Sequence, residues 1–180
     1  AVCRELLKLH RQSRISVIHV CHSFEEARMV ADRIGVIDSG RIVQAGTPDA
    51  LMESPANRYV ANLLRLENVF RGRAERCPGG SRIVGDGFSL AAPEAEGRVE
   101  FLVRPWDVRV GADGDNRAEG NIVEFSLAGP VARAKLDGPL PLLVQLPRDA
   151  AVTAGLALGK RLRVAFDRDA VHVFDETTGA

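Results

Sequence analysis

A histidine stands at the junction of a short apolar run and a helix, at His22 in the stretch VIHVCHSFEEA (residues 17–27). The apolar run, residues 15–21, is rich in β-branched side chains, which is typical of a strand buried on both faces of a parallel sheet. Ligands of open α/β sheets bind just beyond the carboxyl ends of the strands. An imidazole at that position is able to contact a bound phosphate or an attacking water. The alternative interpretation is a capped turn in which His22 only hydrogen-bonds the backbone.

The helix that follows His22 is predicted from its first residues. Ser23 and Glu26 have the S-x-x-E spacing of a capping box, which satisfies two backbone N–H groups that the helix itself leaves unpaired. Phe24 and Ala27 supply the apolar side of this helix. The sequence therefore places His22 at the start of a helix.

A metal site is not predicted. His19 and His22 form an H-x-x-H pair, but residues three apart on an extended chain point to opposite faces. The cysteines Cys3, Cys21 and Cys77 are an odd, sparse set without metal-ligand spacing. Sparse unpaired cysteines indicate a reduced, cytosolic compartment.

The composition is that of a soluble globular protein, with 46% hydrophobic and 27% charged residues. Lys+Arg and Asp+Glu both total 24, so the net charge is zero. This balance argues against a nucleic-acid partner held by phosphate contacts. No apolar run reaches the roughly 18 residues that span a bilayer, and no secretory signal opens the chain.

Residues 1–66 alternate between helix and strand. The chain opens with AVCRELLKLHRQ, which predicts a helix over 1–12 with no capping residue before it, so we expect the sequence to be a fragment of a longer protein. The segment 34–46 predicts a hairpin around a Ser-Gly turn. Two further helices are predicted to begin at Thr47 and Ser54, because each is followed by proline.

From about residue 68 the helical periodicity disappears, and short β-rich runs bounded by Gly, Pro and Asp recur about every ten residues. This pattern is typical of a small antiparallel barrel or a pair of barrels. The predicted fold class is therefore an α/β segment followed by an all-β, OB-like barrel domain, with one short helix within 147–159. The predicted strands are 81–84, 98–103, 107–110, 120–127, 131–136, 142–146, 161–166 and 171–174.

The segment from Val17 to Leu64 resembles, almost end to end, the last part of the nucleotide-binding domain of ABC transporters. The pattern of that family is a strand, Thr-His-Asp-x-x-Glu-Ala, and then Asp-Arg-Ile-x-Val-(Met/Leu)-x-x-Gly-x-Ile-x-x-x-Gly-x-Pro. Cys21 stands for the usual Thr, and Ser23 stands for the usual Asp. The matching residues are His22, Glu26, Ala27, Asp32, Arg33, Ile34, Val36, Gly40, Ile42, Gly46 and Pro48.

This resemblance implies that residues 1–66 are the C-terminal part of an ABC nucleotide-binding domain and that His22 is the catalytic switch-loop histidine. In that family the histidine contacts the γ-phosphate of ATP and helps to position the attacking water. The sequence has no G-x-x-x-x-G-K-[ST] phosphate loop and no Leu-Ser-Gly-Gly signature, and the apolar-then-Asp stretch at 36–38 is not followed by a glutamate.

The resemblance thus places the phosphate cradle, the Mg²⁺ ligands and the general base upstream in a parent protein, which would bind ATP and Mg²⁺. We expect this chain alone to hold no cofactor, to bind nucleotide through no residue besides His22, and not to hydrolyse ATP. Without neighbouring strands, residues 15–21 would expose an apolar edge, which predicts self-association.

The second half resembles the regulatory domain, of the TOBE/MOP type, that follows the ATPase domain in importers of oxyanions, sugars and related solutes. The junction LENVFRGRAE (66–75) is similar to that of molybdate and tungstate importers, and VRPWDVRV (103–110) matches a motif in which Trp106 replaces the common Glu. The resemblance places this regulatory domain at 67–180.

Residues 115–174 also resemble the small barrel that binds molybdate in such proteins. The resemblance matches Asn116 at the start of this barrel and offers it as an oxyanion ligand. If the barrel senses an oxyanion, Lys160, Arg161 and Arg168 are further candidate ligands, and the alternative for each of them is a solvated surface charge. Asp113 and Asp115, however, stand where a hydroxyl and a guanidinium are usual, and carboxylates repel an oxyanion. A barrel used only for packing and dimer formation is therefore the open alternative.

Together these resemblances imply the ATPase subunit of an ABC importer, working with a membrane permease and a second copy of itself at the cytoplasmic face of the cell membrane. The implied cargo is an oxyanion such as molybdate or tungstate, and importers of sulfate, ferric iron, sugars or polyamines share the layout. A stand-alone oxyanion-binding or storage module is an alternative of another class. A transcription regulator is not supported, because no helix-turn-helix pattern or basic stripe is present.

Overall fold

A computed structural model describes residues 16–174 of the protein. The helix predicted over 1–12 lies outside the described residues. The chain divides into two compact units between Arg65 and Leu66, whereas the sequence placed the boundary one residue later. Within residues 16–174 no helix is both long and apolar enough to cross a membrane.

The first unit contains short helices and one antiparallel hairpin. The predicted hairpin is confirmed, with Ile34 opposite Gly46 at its open end and a positive φ of 48° at Ser39 in its turn. The elements are α1 (Phe24–Val30), β1 (Ile34–Asp38), β2 (Arg41–Gly46), α2 (Pro48–Glu53) and α3 (Arg58–Leu63).

Side-chain caps begin each of the helices α1, α2 and α3. The oxygen of Ser23 accepts a hydrogen bond from the backbone N–H of Glu26, and Thr47 caps α2 in the same way. The prediction that Ser54 begins the third helix is wrong. Asn57 caps α3, while the carbonyl of Ser54 accepts a hydrogen bond from the side chain of Gln44, which directs the chain away from helix until Asn57.

The strand predicted at residues 15–21 is not formed in the described part of this run. Residues 16–21 belong to no strand, and Ile18 and Val20 are 95% and 88% exposed. A strand needs a neighbour to pair its backbone groups, and no described strand pairs with this segment. The β-branched composition of this run is therefore not sufficient to form a strand.

The second unit consists of two five-stranded antiparallel sheets around one apolar core. The strand orders are β12-β6-β3-β4-β5 and β10-β9-β8-β11-β7. Large side chains from both sheets, such as Phe101 and Phe166, are fully buried in this core. The elements are β3 (Val69–Cys77), β4 (Gly80–Gly85), β5 (Phe88–Ala92), β6 (Gly97–Val103), β7 (Arg109–Val110), β8 (Asn116–Ala128), β9 (Val131–Leu136), β10 (Leu143–Pro147), α4 (Arg148–Thr153), β11 (Arg161–Phe166), a 3₁₀ helix (Arg168–Ala170) and β12 (Val171–Val173).

The sequence missed the strands β3 and β5. In β3 the inward positions include Gly72 and Ala74, which give little apolar signal. A β-carbon on Gly72 would lie only 2.4 Å from a methyl carbon of Ile83, so glycine allows β3 and β4 to approach closely.

Two buried asparagines bind backbone at sheet edges. The side chain of Asn68 donates to the carbonyl of Leu143 and accepts from its N–H, both at 2.7 Å. Asn116 does the same for Ala91, at 2.9 and 2.6 Å. The strands β10 and β5 each lie at the edge of a sheet. Each asparagine amide therefore pairs the backbone groups of one edge residue that a neighbouring strand would otherwise pair. Each amide also joins segments that are far apart in the sequence.

Candidate functional site

His22 lies at the N-terminus of α1, one residue before the capping Ser23. Phe24 and Ala27 of this helix are buried, while the side chain of His22 is exposed. The turn itself is tied by the thiol of Cys21, which contacts the carbonyl of Ser23 at 3.5 Å. Among the described residues no hydrogen bond engages the imidazole, so the backbone-bonding role of the alternative interpretation is not seen.

The suggested oxyanion ligands Asn116 and Lys160 bind backbone groups of the fold. Asn116 is only 4% exposed, and both of its polar side-chain atoms are used on Ala91. The ammonium of Lys160 donates to the carbonyls of Ala154 and Gly155 just beyond α4. Both side chains therefore have structural partners in this fold.

The two suggested arginine ligands lie at opposite ends of the β8–β11 pair. Arg161 forms an ion pair with Glu119 at 2.7 Å, whereas Arg168 donates to the carbonyl of Gly79 and lies beside Asp115. The pairs Asn121–Arg161 and Asn116–Phe166 mark these ends, and the five residue steps from one end to the other span roughly 17 Å. The structure does not gather the four suggested ligands around one point.

A groove of about 360 Å³ lies beside the motif VRPWDVRV, between the loop after β6 and the segment after β11. The sequence analysis assigned this motif to a family resemblance and predicted no site there. The close spacing of charged residues around Trp106 is the feature of the sequence that could have indicated one. The lining residues are Arg104, Trp106, Asp107, Arg109, Asp167, Asp169 and Ala170.

Two ion pairs organise the groove. Arg104 contacts Asp107 at 2.6 Å, with both side chains about three-quarters buried. Both terminal nitrogens of Arg109 donate to the two carboxylate oxygens of Asp167, each at 2.8 Å. The second pair joins residues 58 positions apart in the sequence. Bidentate pairs of this kind are geometrically specific.

The charge of the groove does not favour an anion. Its two guanidinium groups already have carboxylate partners, and Asp169 adds a third carboxylate to the lining. The side chain of Trp106 is 41% exposed. An aromatic face beside carboxylates suits a cationic group better than an oxyanion.

The Arg109–Asp167 pair contributes to the stability of the folded state in a pH-dependent way. The hydrogen bonds from Arg109 hold the pKa of Asp167 below its ordinary value, and Asp167 raises the pKa of Arg109. Because the pKa of Asp167 is lowered in the folded state, the pair stabilises the fold above the ordinary aspartate pKa of about 3.9. That contribution is lost as the pH falls through the folded-state pKa.

Replacing Arg109 by glutamine is therefore expected to raise the pKa of Asp167 toward its ordinary value. Carbon-detected NMR of the carboxylate across the acid range measures this directly. Arg163→Gln is the matched control, because Arg163 is an exposed strand arginine whose side chain has no described carboxylate partner. An unchanged pKa of Asp167 in Arg109→Gln contradicts the assigned cause.

Replacing Asn116 by alanine is expected to lower the free energy of unfolding by about 2 kcal/mol, because the N–H and C=O of Ala91 lose their partners. Urea unfolding measures this, and Ser126→Ala, an exposed change on the same strand β8, is the control. If Asn116→Ala keeps the stability of the wild type, the structural role assigned to Asn116 is wrong.

Comparison with known proteins bears directly on the second unit. Residues 101–174, which begin within β6 and include the motif beside the groove, match the family of the TOBE domain. The chain is similar to TOBE domains over this stretch. The TOBE region provides all of the groove's lining residues.

Most of the chain is similar to ATP-binding subunits of ABC importers. It is 32% identical over 166 residues to the molybdate/tungstate import ATP-binding protein WtpC of Pyrococcus abyssi, covering 87% of this chain and 46% of that protein. It is 36% identical over 179 residues to the spermidine/putrescine import ATP-binding protein PotA of Rubrobacter xylanophilus, covering 91% and 46%. With the sulfate/thiosulfate import ATP-binding protein CysA of Nitrosomonas europaea, the identity is 39% over 139 residues, covering 74% and 37%.

The chain thus spans less than half the length of these three relatives. Their names also divide among different solutes, so the similarity does not distinguish the molybdate/tungstate type from the polyamine and sulfate types.

Among solved structures, the chain is similar to the cytoplasmic molybdate-binding protein ModG in a molybdate-bound crystal form. The TM-score is 0.50 and the identity 18%, over 60% of this chain and 95% of ModG. At this identity the similarity concerns the fold alone. Together with the TOBE match, it confirms the predicted OB-like, all-β architecture of the second unit.

Proposed function

We propose that this chain is the C-terminal part of the ATP-binding subunit of an ABC importer. The observation that carries the proposal is the succession, in one chain, of a helix preceded by His22 and a TOBE domain. The homology to three kinds of import ATP-binding protein, over most of this chain, supports it. The complete subunit would couple ATP hydrolysis to solute uptake through a membrane permease at the cytoplasmic face of the membrane.

His22 is the residue of this chain that we assign to catalysis. Its exposed imidazole at the start of α1 is open to a γ-phosphate presented by the rest of the subunit, where it would orient the attacking water. The described residues do not themselves form a Mg²⁺ site, since no group of three or more His, Cys, Asp or Glu side chains among them is placed to hold a metal. The chain alone is proposed to be inactive.

The cargo that we propose first is an oxyanion of the molybdate or tungstate type. The similarity to WtpC and the sequence of the junction at residues 66–75 support it. In this proposal the TOBE domain either senses the oxyanion or only joins two subunits. The contacts of Asn116, Lys160, Arg161 and Arg168 favour the joining role, because all four side chains already bind other parts of the fold.

A polyamine importer is the second candidate. The groove with three carboxylates and the exposed ring of Trp106 suits an ammonium group, and the similarity to PotA covers 91% of this chain. In this case the groove would be the sensing site of the TOBE domain.

Calorimetric titration of this chain with molybdate, tungstate, sulfate and spermidine tests the cargo. Saturable micromolar binding of molybdate or tungstate, but not sulfate, would support the first candidate. Binding of spermidine that is lost in Trp106→Ala would support the second. If none of the four binds, a sensing role for the domain is wrong.

The ATP-binding assignment has a separate test. Sequencing the gene upstream of Ala1 should reveal a G-x-x-x-x-G-K-[ST] phosphate loop within about 150 residues, which is the size of a typical domain. A complete upstream reading frame without such a loop would overturn the assignment.

A further inference from the structure

The outer face of the β12-β6-β3-β4-β5 sheet carries a cluster of arginines. Along β3 the side chains alternate, so that Ala74 lies in the core while Arg71 and Arg73 are exposed. Arg98 on β6 and Arg82 on β4 are exposed on the same outer face. We call the four residues Arg71, Arg73, Arg82 and Arg98 the arginine face.

The register of the strands brings these arginines close together. Arg73 is directly opposite Arg98, and β-carbons in such a position are about 5 Å apart. Arg73 is also opposite Val84, which makes Arg82, two residues earlier on β4, its diagonal neighbour at about 7–8 Å. Arg71 stands two residues from Arg73 on the same strand and is diagonal to Arg98.

Most of this positive charge is not neutralised by the fold. Arg71 forms an ion pair with Glu100 at 2.6 Å. Within residues 16–174 no carboxylate forms an ion pair with Arg73, Arg82 or Arg98, and Glu75, the cross-strand neighbour of Arg82, makes no ion pair with it. Like charges directly opposite each other destabilise a sheet, so the Arg73–Arg98 pair opposes folding unless an anion lies between the two guanidinium groups.

The shape of the face indicates what kind of anion fits. The four arginines are exposed on an open sheet surface, where a small anion would stay hydrated and bind weakly. Alternate residues of an extended chain point the same way and are about 6.6 Å apart, which is the spacing of Arg71 and Arg73 along β3. A peptide with acidic side chains at alternate positions therefore presents carboxylates in register with these guanidinium groups, and arginine binds carboxylates in a bidentate manner.

A lipid surface fits less well. The strand residues that point outward on this sheet include no Phe, Tyr or Trp, the side chains that anchor proteins in a membrane interface.

We propose that the arginine face binds an extended acidic segment of another protein, with carboxylates on alternate residues. This surface lies on the opposite side of the sheet from the apolar core, and its role is independent of the cargo of the importer. The partner is defined by this charge pattern, and binding would stabilise the domain by removing the repulsion between Arg73 and Arg98.

Fluorescence anisotropy with the whole chain and a labelled peptide of five Glu-Thr repeats tests the proposal. We expect saturable binding that weakens with salt and falls at least tenfold in the double variant Arg73→Gln, Arg98→Gln. The double variant Arg148→Gln, Arg163→Gln removes the same charge from exposed arginines elsewhere on the domain and should bind like the wild type. Equal losses in the two double variants would show a general charge effect and overturn the proposal.

The pattern and the type of partner are tested in the same format. A peptide with five consecutive Glu followed by five Thr has the same charge, and it should bind at least several-fold more weakly than the alternating peptide. Equal binding of the two peptides overturns the alternate-residue pattern. Sedimentation with anionic phosphatidylglycerol vesicles that depends on Arg73 and Arg98, without binding of the alternating peptide, overturns the protein partner in favour of a lipid surface.

A melting experiment separates loss of binding from loss of folding. The variant Arg98→Gln alone removes the like-charge contact and is expected to melt at or above the wild-type temperature while binding the peptide more weakly. The charge-preserving variant Arg98→Lys should retain most of the affinity. Weaker binding that only accompanies a lower melting temperature would overturn the role of the arginine face.

Discussion

Replacing His22 by alanine in the full-length parent should lower ATP turnover by about 10²-fold or more, the usual contribution of a positioned acid–base group. The imidazole is exposed at the start of α1 and has no described partner that would give it a structural role. Its loss should therefore affect turnover and leave the stability of the subunit nearly unchanged. Steady-state phosphate release and the melting temperature of the same samples measure the two effects.

His19→Ala is the matched control for this experiment. His19 lies three residues earlier and is also exposed, but it does not occupy the matching position of the ABC pattern. Its replacement should leave ATP turnover within about twofold of the wild type, because no acid–base contribution is removed. Wild-type turnover in His22→Ala would show that this histidine is not the catalytic one.

Replacing Asn68 by alanine is expected to have the largest effect on stability. The side chain is 1% exposed and binds both backbone groups of Leu143, which lies 75 residues away in the sequence. Alanine leaves a buried N–H and a buried C=O without partners, each at about 1–3 kcal/mol. We expect a loss of about 3 kcal/mol in the free energy of unfolding, which corresponds to a melting temperature lower by roughly 10 °C for a domain of this size.

Urea unfolding followed by circular dichroism measures this loss, with the dependence on denaturant expected to stay constant. Asn62→Ala is the control, since Asn62 is exposed on α3 and should change the free energy of unfolding by less than about 0.5 kcal/mol. If the free energy of unfolding of Asn68→Ala also differs from that of the wild type by less than about 0.5 kcal/mol, the bonds to Leu143 do not hold β10 in place.

The two asparagines illustrate the limit of reading this sequence. Asn116 was interpreted as an oxyanion ligand because it matches a motif, and Asn68 was noticed only as part of the junction similar to importers. Their actual bonds are to Ala91 and Leu143, 25 and 75 residues away. The residues around each asparagine do not indicate which distant backbone N–H and C=O groups lack a neighbouring strand. The partners of Asn116 and Asn68 therefore could not be predicted from the sequence.

Local signals worked where the determinants lie within a few residues. The caps at Ser23 and Thr47 and the hairpin at 34–46 depend on groups that are adjacent in the chain, and the structure shows them as predicted. The cap at Ser54 was misplaced because a side chain ten residues away, Gln44, binds its carbonyl. The strand predicted at 15–21 failed for the same reason, since pairing depends on a partner strand.

The sequence by itself determined the class of the second unit, most of its strands, and the resemblance that leads from His22 to an import ATPase. These features rest on alternation, turn residues and motif spacing, which are properties of neighbouring residues. Only the tertiary structure decided which side chains meet: the asparagine bonds at the sheet edges, the groove beside Trp106 and the arginine face. Each of these depends on the register between strands, and register is set by the packing of the whole core.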